Sequence, residues 1–336
     1  MHDAPMRSLG LLALVPLSGL AHDDAHLHFD PAADSVALKT FHSTMELEGG
    51  ELEATMNGEP VPSEFLPTLE LLIQSESSVT LRDRYVESSG GRPGVLERTF
   101  VETDQQLEQE QTMVMEGSDM SEDSSSTGTS DLEGETVRFR WDPEEGDYRA
   151  EADDLRDPDL LEGLEEDADL RAWLPEGPVG TGDCWTVPAD AFACLWSPGG
   201  DLAWDHSDER VNGHEPEELI YDGEIELSLS GVHGSDGERV AHVAVEGEIT
   251  ITSVSASDLE EIPVVDGPGT ATQIHAMTLE GELLWSLGAN RVAGAEIEAE
   301  VEAEVTLATE DGAPMPFSST VRLAGSAHYE LTVDAE

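Results

Sequence analysis

AEIEAEVEAEVTL, residues 295 to 307, is apolar at every odd position from Ala295 to Leu307 and acidic at every even position from Glu296 to Glu304. That period of two is the signature of a strand whose successive side chains point to opposite faces. A helix would spread the five glutamates around its whole surface. Intrinsic propensity argues the other way, because Ala and Glu are good helix formers. Periodicity outweighs it, so the stretch reads as a long strand with one packed face and one row of carboxylates toward water.

The same alternation recurs in EIELSLS (224–230), VAHVAVEGEITITSV (240–254), QIHAMTLEGELLWSL (273–287) and VRLAGSAHYELTV (321–333). Turn-rich clusters at 231–237 and 310–313 separate some of them. The first half follows the same grammar in 35–47, 51–56, 69–80, 82–88, 95–102, 105–115 and 136–141, with SGGRPG (89–94) as a hairpin turn. The fold class that follows is all-β: a long antiparallel meander forming curved sheets or barrel-like halves, with one connecting amphipathic helix. Residues 116–135, EGSDMSEDSSSTGTSDLEGE, hold almost nothing that could pack and read as a disordered loop.

Between the halves the pattern changes. Asp157-Pro158 is a good helix start, and Leu160, Leu161, Leu164, Ala168 and Leu170 approximate helical spacing up to Trp173. A second short helical piece is expected near 189–196. The expected organisation is a signal peptide (1–21), an N-terminal meander half (22–150), a helical and Trp-rich connector (151–204) and a C-terminal meander half (205–336).

Charge and compartment are equally legible. Arg7 precedes an apolar run from Leu9 to Leu20, too short to span a bilayer, with Gly19-Leu20-Ala21 suited to signal cleavage after Ala21. The expected location is periplasmic or extracellular. The formal net charge of -59 argues against nucleic acid and anionic membranes as partners, since both carry the same sign. Lys39 is the sole lysine; the other basic residues are arginines. In an exported chain the two cysteines, Cys184 and Cys194, are expected to pair, closing a short loop worth about 2–3 kcal/mol on a chain-entropy estimate.

DRYVESSGGRPGVLERTF (83–100) and GPVGTGDCWTVP (177–188) resemble segments of uncharacterised secreted acidic β-meander proteins. In those a strand, a Gly-Arg-Pro turn and a returning strand ending in Arg-x-Phe precede a Val-Gly-x-Gly-Asp-x-Trp stretch. The resemblance implies an extracytoplasmic β-meander and brings no activity with it.

Three sets of side chains are candidates for chemistry. Cleavage after Ala21 would give His22 an α-amine beside its imidazole, and His26 and His28 share a face if AHDDAHLHFD (21–30) is extended, a donor set for copper or zinc. The alternative is a polar run-in to the first strand. The glutamate row 296–304 could collect calcium loosely, its carboxylates standing about 7 Å apart. No nucleophile elbow, phosphate loop or dinucleotide fingerprint is present in the sequence, so no catalytic residue is assigned and the protein reads as a non-enzyme. The functional expectation is an exported acidic binding or envelope-associated module holding a hydrophobic ligand or a protein partner on a concave sheet. The alternatives are a structural protein with a filled core and a metal binder using His22, His26 and His28.

Overall fold

The computed structural model describes residues 25–115, 118–153, 155, 157–208, 218–235, 239–258, 268–309 and 316–335. The expected signal peptide, its cleavage site and His22 lie outside the described residues. Among the described residues, fourteen strands form one antiparallel sheet. They are β1 (Ser35–Met56), β2 (Glu59–Pro60), β3 (Thr68–Ser89), β4 (Arg92–Met115), β5 (Ser118–Ser130), β6 (Thr136–Asp142), β7 (Asp147–Glu151), β8 (Cys184–Pro188), β9 (Trp204–His206), β10 (Glu218–His233), β11 (Val240–Asp258), β12 (Pro268–Ser286), β13 (Arg291–Thr309) and β14 (Phe317–Ala335).

The sheet runs β7-β6-β4-β3-β1-β14-β13-β12-β11-β10-β8 and does not close into a barrel. Its centre is the pairing of the first long strand with the last, from Ala37 opposite Ala335 to Met56 opposite Phe317. The two sequence halves are therefore the two wings of a single sheet, joined along β1 and β14. Alternation in β13 is as the sequence indicates: Ala295, Ile297, Ala299, Val301 and Ala303 are buried, and the intervening glutamates up to Glu302 are exposed.

Several first-half strands are longer than the pattern suggests, because bulges shift the phase of the alternation. Thr80 pairs with Glu102 but Leu81 pairs with Phe100, so Val101 is the extra residue of a bulge and is turned outward. Pairs of apparent strands thereby become single strands, β3 and β4. A second irregularity at 49–51 joins the two expected segments of β1.

Two expectations need correction. The stretch at 116–135 is not a disordered loop: Ser118–Ser130 is β5, paired with β4 from Asp104 opposite Thr129 to Met115 opposite Ser118. Small residues supply the inward positions, with Ser126, Gly128 and Ser130 buried in alternation, followed by Leu132. Hydroxyls bind across the strands, as between Thr112 and Ser121 at 3.0 Å. An apolar template misses such a strand because its packed face carries almost no apolar side chains.

The amphipathic helix expected from Asp157 is the other. Asp157 does cap, accepting from the Asp159 amide at 3.1 Å, but only 3-10 turns at Pro158–Leu161 and Arg171–Trp173 form. Gly163 and Leu170 both adopt positive φ, and Glu165-Glu166-Asp167 would crowd like charges along a helix. The carbonyls of Glu165 and Glu166 instead accept from Arg98. The second helical piece is present as a 3-10 turn (Ala189–Phe192) running into α1 (Ala193–Trp196), the single α-helix among the described residues.

The extended run-in 25–30 and the connector 157–202 cover the inner, apolar face of the sheet. Leu27, Phe29, Leu170, Trp173, Phe192 and Leu195 join one continuous core with residues of β1, β3, β10–β12 and β14. Phe29 meets Tyr85 edge-on at 5.7 Å, and Phe192 meets Tyr329 at 5.1 Å. The face that could have been an open apolar cavity is filled.

Candidate functional site

An open cavity of about 960 Å³ lies on the outer face. Its floor is two adjacent cross-strand rows over the six central strands. One row reads Glu280, Glu298, His328, Thr44, Glu76, Gln106. The next reads Thr278, Glu300, Ser326, Glu46, Gln74, Glu108. Six carboxylates line the trough and no lysine or arginine does.

Long strands coil strongly to make this shape. Glycines on the inner face permit it: a Cβ on Gly281 would strike the carbonyl of Glu296, and one on Gly325 the carbonyl of Glu46. Beyond the trough the carboxylate rows continue. Glu226 faces Glu246, Glu246 faces Glu280, and Glu280 faces Glu298. Directly opposed side chains stand about 4.5–5.5 Å apart, and like charges there are destabilising. Arg322 of β14 neutralises Glu304 and Glu53 at one end, at 3.1 and 3.3 Å.

A second cluster sits on the opposite face, fully buried. Asp83 on β3 pairs directly across the ladder with Arg98 on β4, whose Nε and Nη2 donate to its two oxygens at 2.8 and 2.9 Å. Lys39 of β1 donates to the same carboxylate at 2.7 Å and lies 2.9 Å from Asp169 of the connector. Tyr85 donates its hydroxyl to both oxygens of Asp169, at 2.7 and 2.9 Å. Burial alone would raise the Asp83 carboxyl, but Arg98 and Lys39 hold it well below the usual carboxylate range. Burial and the Asp169 charge push the Tyr85 hydroxyl well up. The sequence reading passed over this group, although charged residues at Lys39 and Asp83 on apolar faces of alternating strands, between Ala37 and Phe41 and between Leu81 and Tyr85, were its visible signal.

The remaining candidates fall out as follows. Ala25, Leu27 and Phe29 point inward while His26 and His28 point outward and stack, ring centroids 4.6 Å apart. They share a face as expected, with His22 outside the described residues. No group of three or more metal-ligating side chains occurs among the described residues.

Cys184 and Cys194 are free thiols, which corrects the expected disulfide. Cys184 opens β8 on the exposed side it shares with Thr186, whereas Cys194 lies in α1 beside the inner core, where burial raises its thiol well above the usual value.

Both stretches that carry the resemblance are structural. Asp83, Tyr85 and Arg98 build the buried cluster. In the second stretch Asp183 accepts from the Gly180 amide at 2.7 Å, and Trp185 donates to the Trp173 carbonyl at 2.9 Å.

No family model and no curated protein matches this chain. Among solved structures, the crystal structure of Pseudomonas aeruginosa OccK7 (OpdD) aligns with 90% of this chain and 100% of that one, at 7% identity and a TM-score of 0.20. That similarity is too low to carry fold or function from one chain to the other.

Proposed function

We propose that the protein is an exported, non-catalytic binding module that takes an extended cationic partner on its acidic trough. One observation carries this reading: the inner apolar face is filled, and the open concavity is floored by six carboxylates with no lysine or arginine among them. A hydrophobic ligand finds no room in the core. Carboxylates about 5 Å apart across strands and about 7 Å apart along them are too widely set to close on one bare ion. They suit a chain of positive charges, such as a basic segment of a partner protein. A volume of about 960 Å³ is of the size that holds an organic ligand or a short peptide.

The filled core also supports the structural alternative, in which the acidic face is only a solvated shell. Isothermal titration of the protein with a hexalysine peptide at physiological salt separates the two. Binding is expected, and it should weaken at least tenfold in Glu280→Gln/Glu298→Gln/Glu300→Gln. Absent binding, or binding that the triple variant leaves unchanged, overturns the module reading and leaves the shell.

A further inference from the structure

Of the fifteen lysine and arginine positions the chain uses arginine for all but one, and that one, Lys39, has a side chain with no solvent exposure. For a buried ion pair arginine is the better residue, because its planar fork meets a carboxylate with two hydrogen bonds and it is less strongly hydrated. Arg98 illustrates this on the same Asp83. A lysine retained only here supplies what a guanidinium does not: an amine that becomes a nucleophile once it loses a proton.

We propose that Lys39 condenses with Asp169 to form an intramolecular isopeptide bond. The four groups such a reaction needs are already in contact. The nucleophile, Lys39 Nζ, is 2.9 Å from Oδ1 of the Asp169 carboxyl. An orienting acceptor, Asp83, itself fixed by Arg98, receives a hydrogen bond from the same Nζ at 2.7 Å. The Tyr85 hydroxyl donates to the Asp169 oxygens at 2.7 and 2.9 Å, where negative charge develops when the carboxyl carbon becomes tetrahedral. All four side chains are shut off from the water that would compete.

The atoms balance. Nζ begins with three hydrogens and the Asp169 carboxylate with two oxygens. Nζ passes one proton directly to Oδ1 of Asp169, which it already contacts at 2.9 Å, and the freed lone pair forms the bond to Cγ. A second proton then leaves nitrogen for the same Oδ1, while the hydrogen bond to Asp83 holds Nζ in line. The Cγ–Oδ1 bond breaks and one water departs, while one hydrogen stays on the amide nitrogen. No oxidant or cofactor takes part.

The product suits the site. One positive and one negative charge vanish together, so the net charge of the cluster is unchanged. Asp83 keeps its two-bond pairing with Arg98 and accepts from the new amide N–H, and the new carbonyl accepts from Tyr85. Every polar group retains a partner, and an ion pair that is expensive to bury is replaced by an amide. The bond would lash the connector to the central strand β1 with no dependence on redox state, in a protein whose cysteines are unpaired.

Because Lys39 is the only ε-amine in the chain, the test is direct. The folded protein is purified, unfolded in denaturant, methylated reductively and digested with a protease that cleaves at glutamate. The expected result is an unmethylated Lys39, found in a linked pair of peptides carrying residues 39 and 169, lighter by one water than their sum. Lys39→Arg keeps the charge and should yield only the separate peptides. A quantitatively methylated Lys39 in the unfolded wild-type protein, with the two peptides separate, overturns the proposal.

Discussion

Glu166 sits at the rim of the buried cluster, its side chain almost fully enclosed. Its Oε2 contacts Arg171, but Oε1 has no hydrogen-bond partner among the described residues. Burial pushes its carboxyl up to about 8, from an ordinary 4.5, despite the nearby arginines. The native state therefore binds a proton more tightly than the unfolded chain does. This group's contribution to stability is complete below 4.5 and is lost as the pH rises through about 8. Asp83 has the opposite sign, contributing above the ordinary aspartate value and losing that contribution only in strong acid. Glu166→Gln, which never ionises, should match the wild type in its pH response below 4.5. It should gain in relative melting temperature as the pH climbs toward 8; parallel melting curves across that window would show that Glu166 titrates normally. The sequence hid this residue for a physical reason: Glu166 is one of several acids in GLEEDADLR, and its burial depends on a connector that folds as turns and so departs from helical spacing.

At the scale of elements, what could be read from sequence was whatever alternates. The odd face of β13 and the long strands of the C-terminal wing follow from period two alone. Bulges and small-residue packing were not legible, since a bulge is set by the partner strand and β5 is packed by Ser126, Gly128 and Ser130 instead of large apolar groups. The trough was half legible: Glu298 and Glu300 were visible as part of a row, while Glu46, Glu76 and Glu108 join them only because β1, β3 and β4 lie across from β14. Its curvature rests on glycines that bring backbones together. Gly325→Ala would drive a Cβ against the Glu46 carbonyl and the Leu47 Cα of β1, at the seam between the wings. Relief requires backbone movement, and overpacking of this kind costs about 1–3 kcal/mol. Gly231→Ala is the matched control, because its nearest neighbour is the end of the His233 side chain at 3.4 Å. Urea midpoints should fall clearly for the first variant and stay close to wild type for the second; equal midpoints would mean that the strands do not need the close approach at Gly325.

Over the whole molecule, a net charge of -59 works against compactness, and the arrangement of the sheet concentrates it. In the row Glu226, Glu246, Glu280, Glu298, each carboxylate directly faces the next across the ladder. Two length scales decide how salt should act. Charges on distant parts of the surface are largely screened once the Debye length falls to about 8–10 Å, near physiological ionic strength. Opposed glutamates about 5 Å apart remain within that length and are screened only as it shrinks toward about 3 Å, near 1 M salt. The melting temperature should therefore keep rising with sodium chloride well past the physiological range, where a protein with only scattered surface charge would level off. The buried cluster around Asp83 is shielded from ions and should contribute nothing to that rise. Replacing Glu246 and Glu280 together by glutamine removes every opposed pair in the row, since each pair contains one of them. The double variant should melt higher than wild type at low salt, with a shallower salt dependence, and the two curves should converge near 1 M. A wild-type melting temperature that is flat above physiological salt, or a double variant that tracks it in parallel, would show that the carboxylate rows do not govern stability and that the destabilising charge lies elsewhere on the surface.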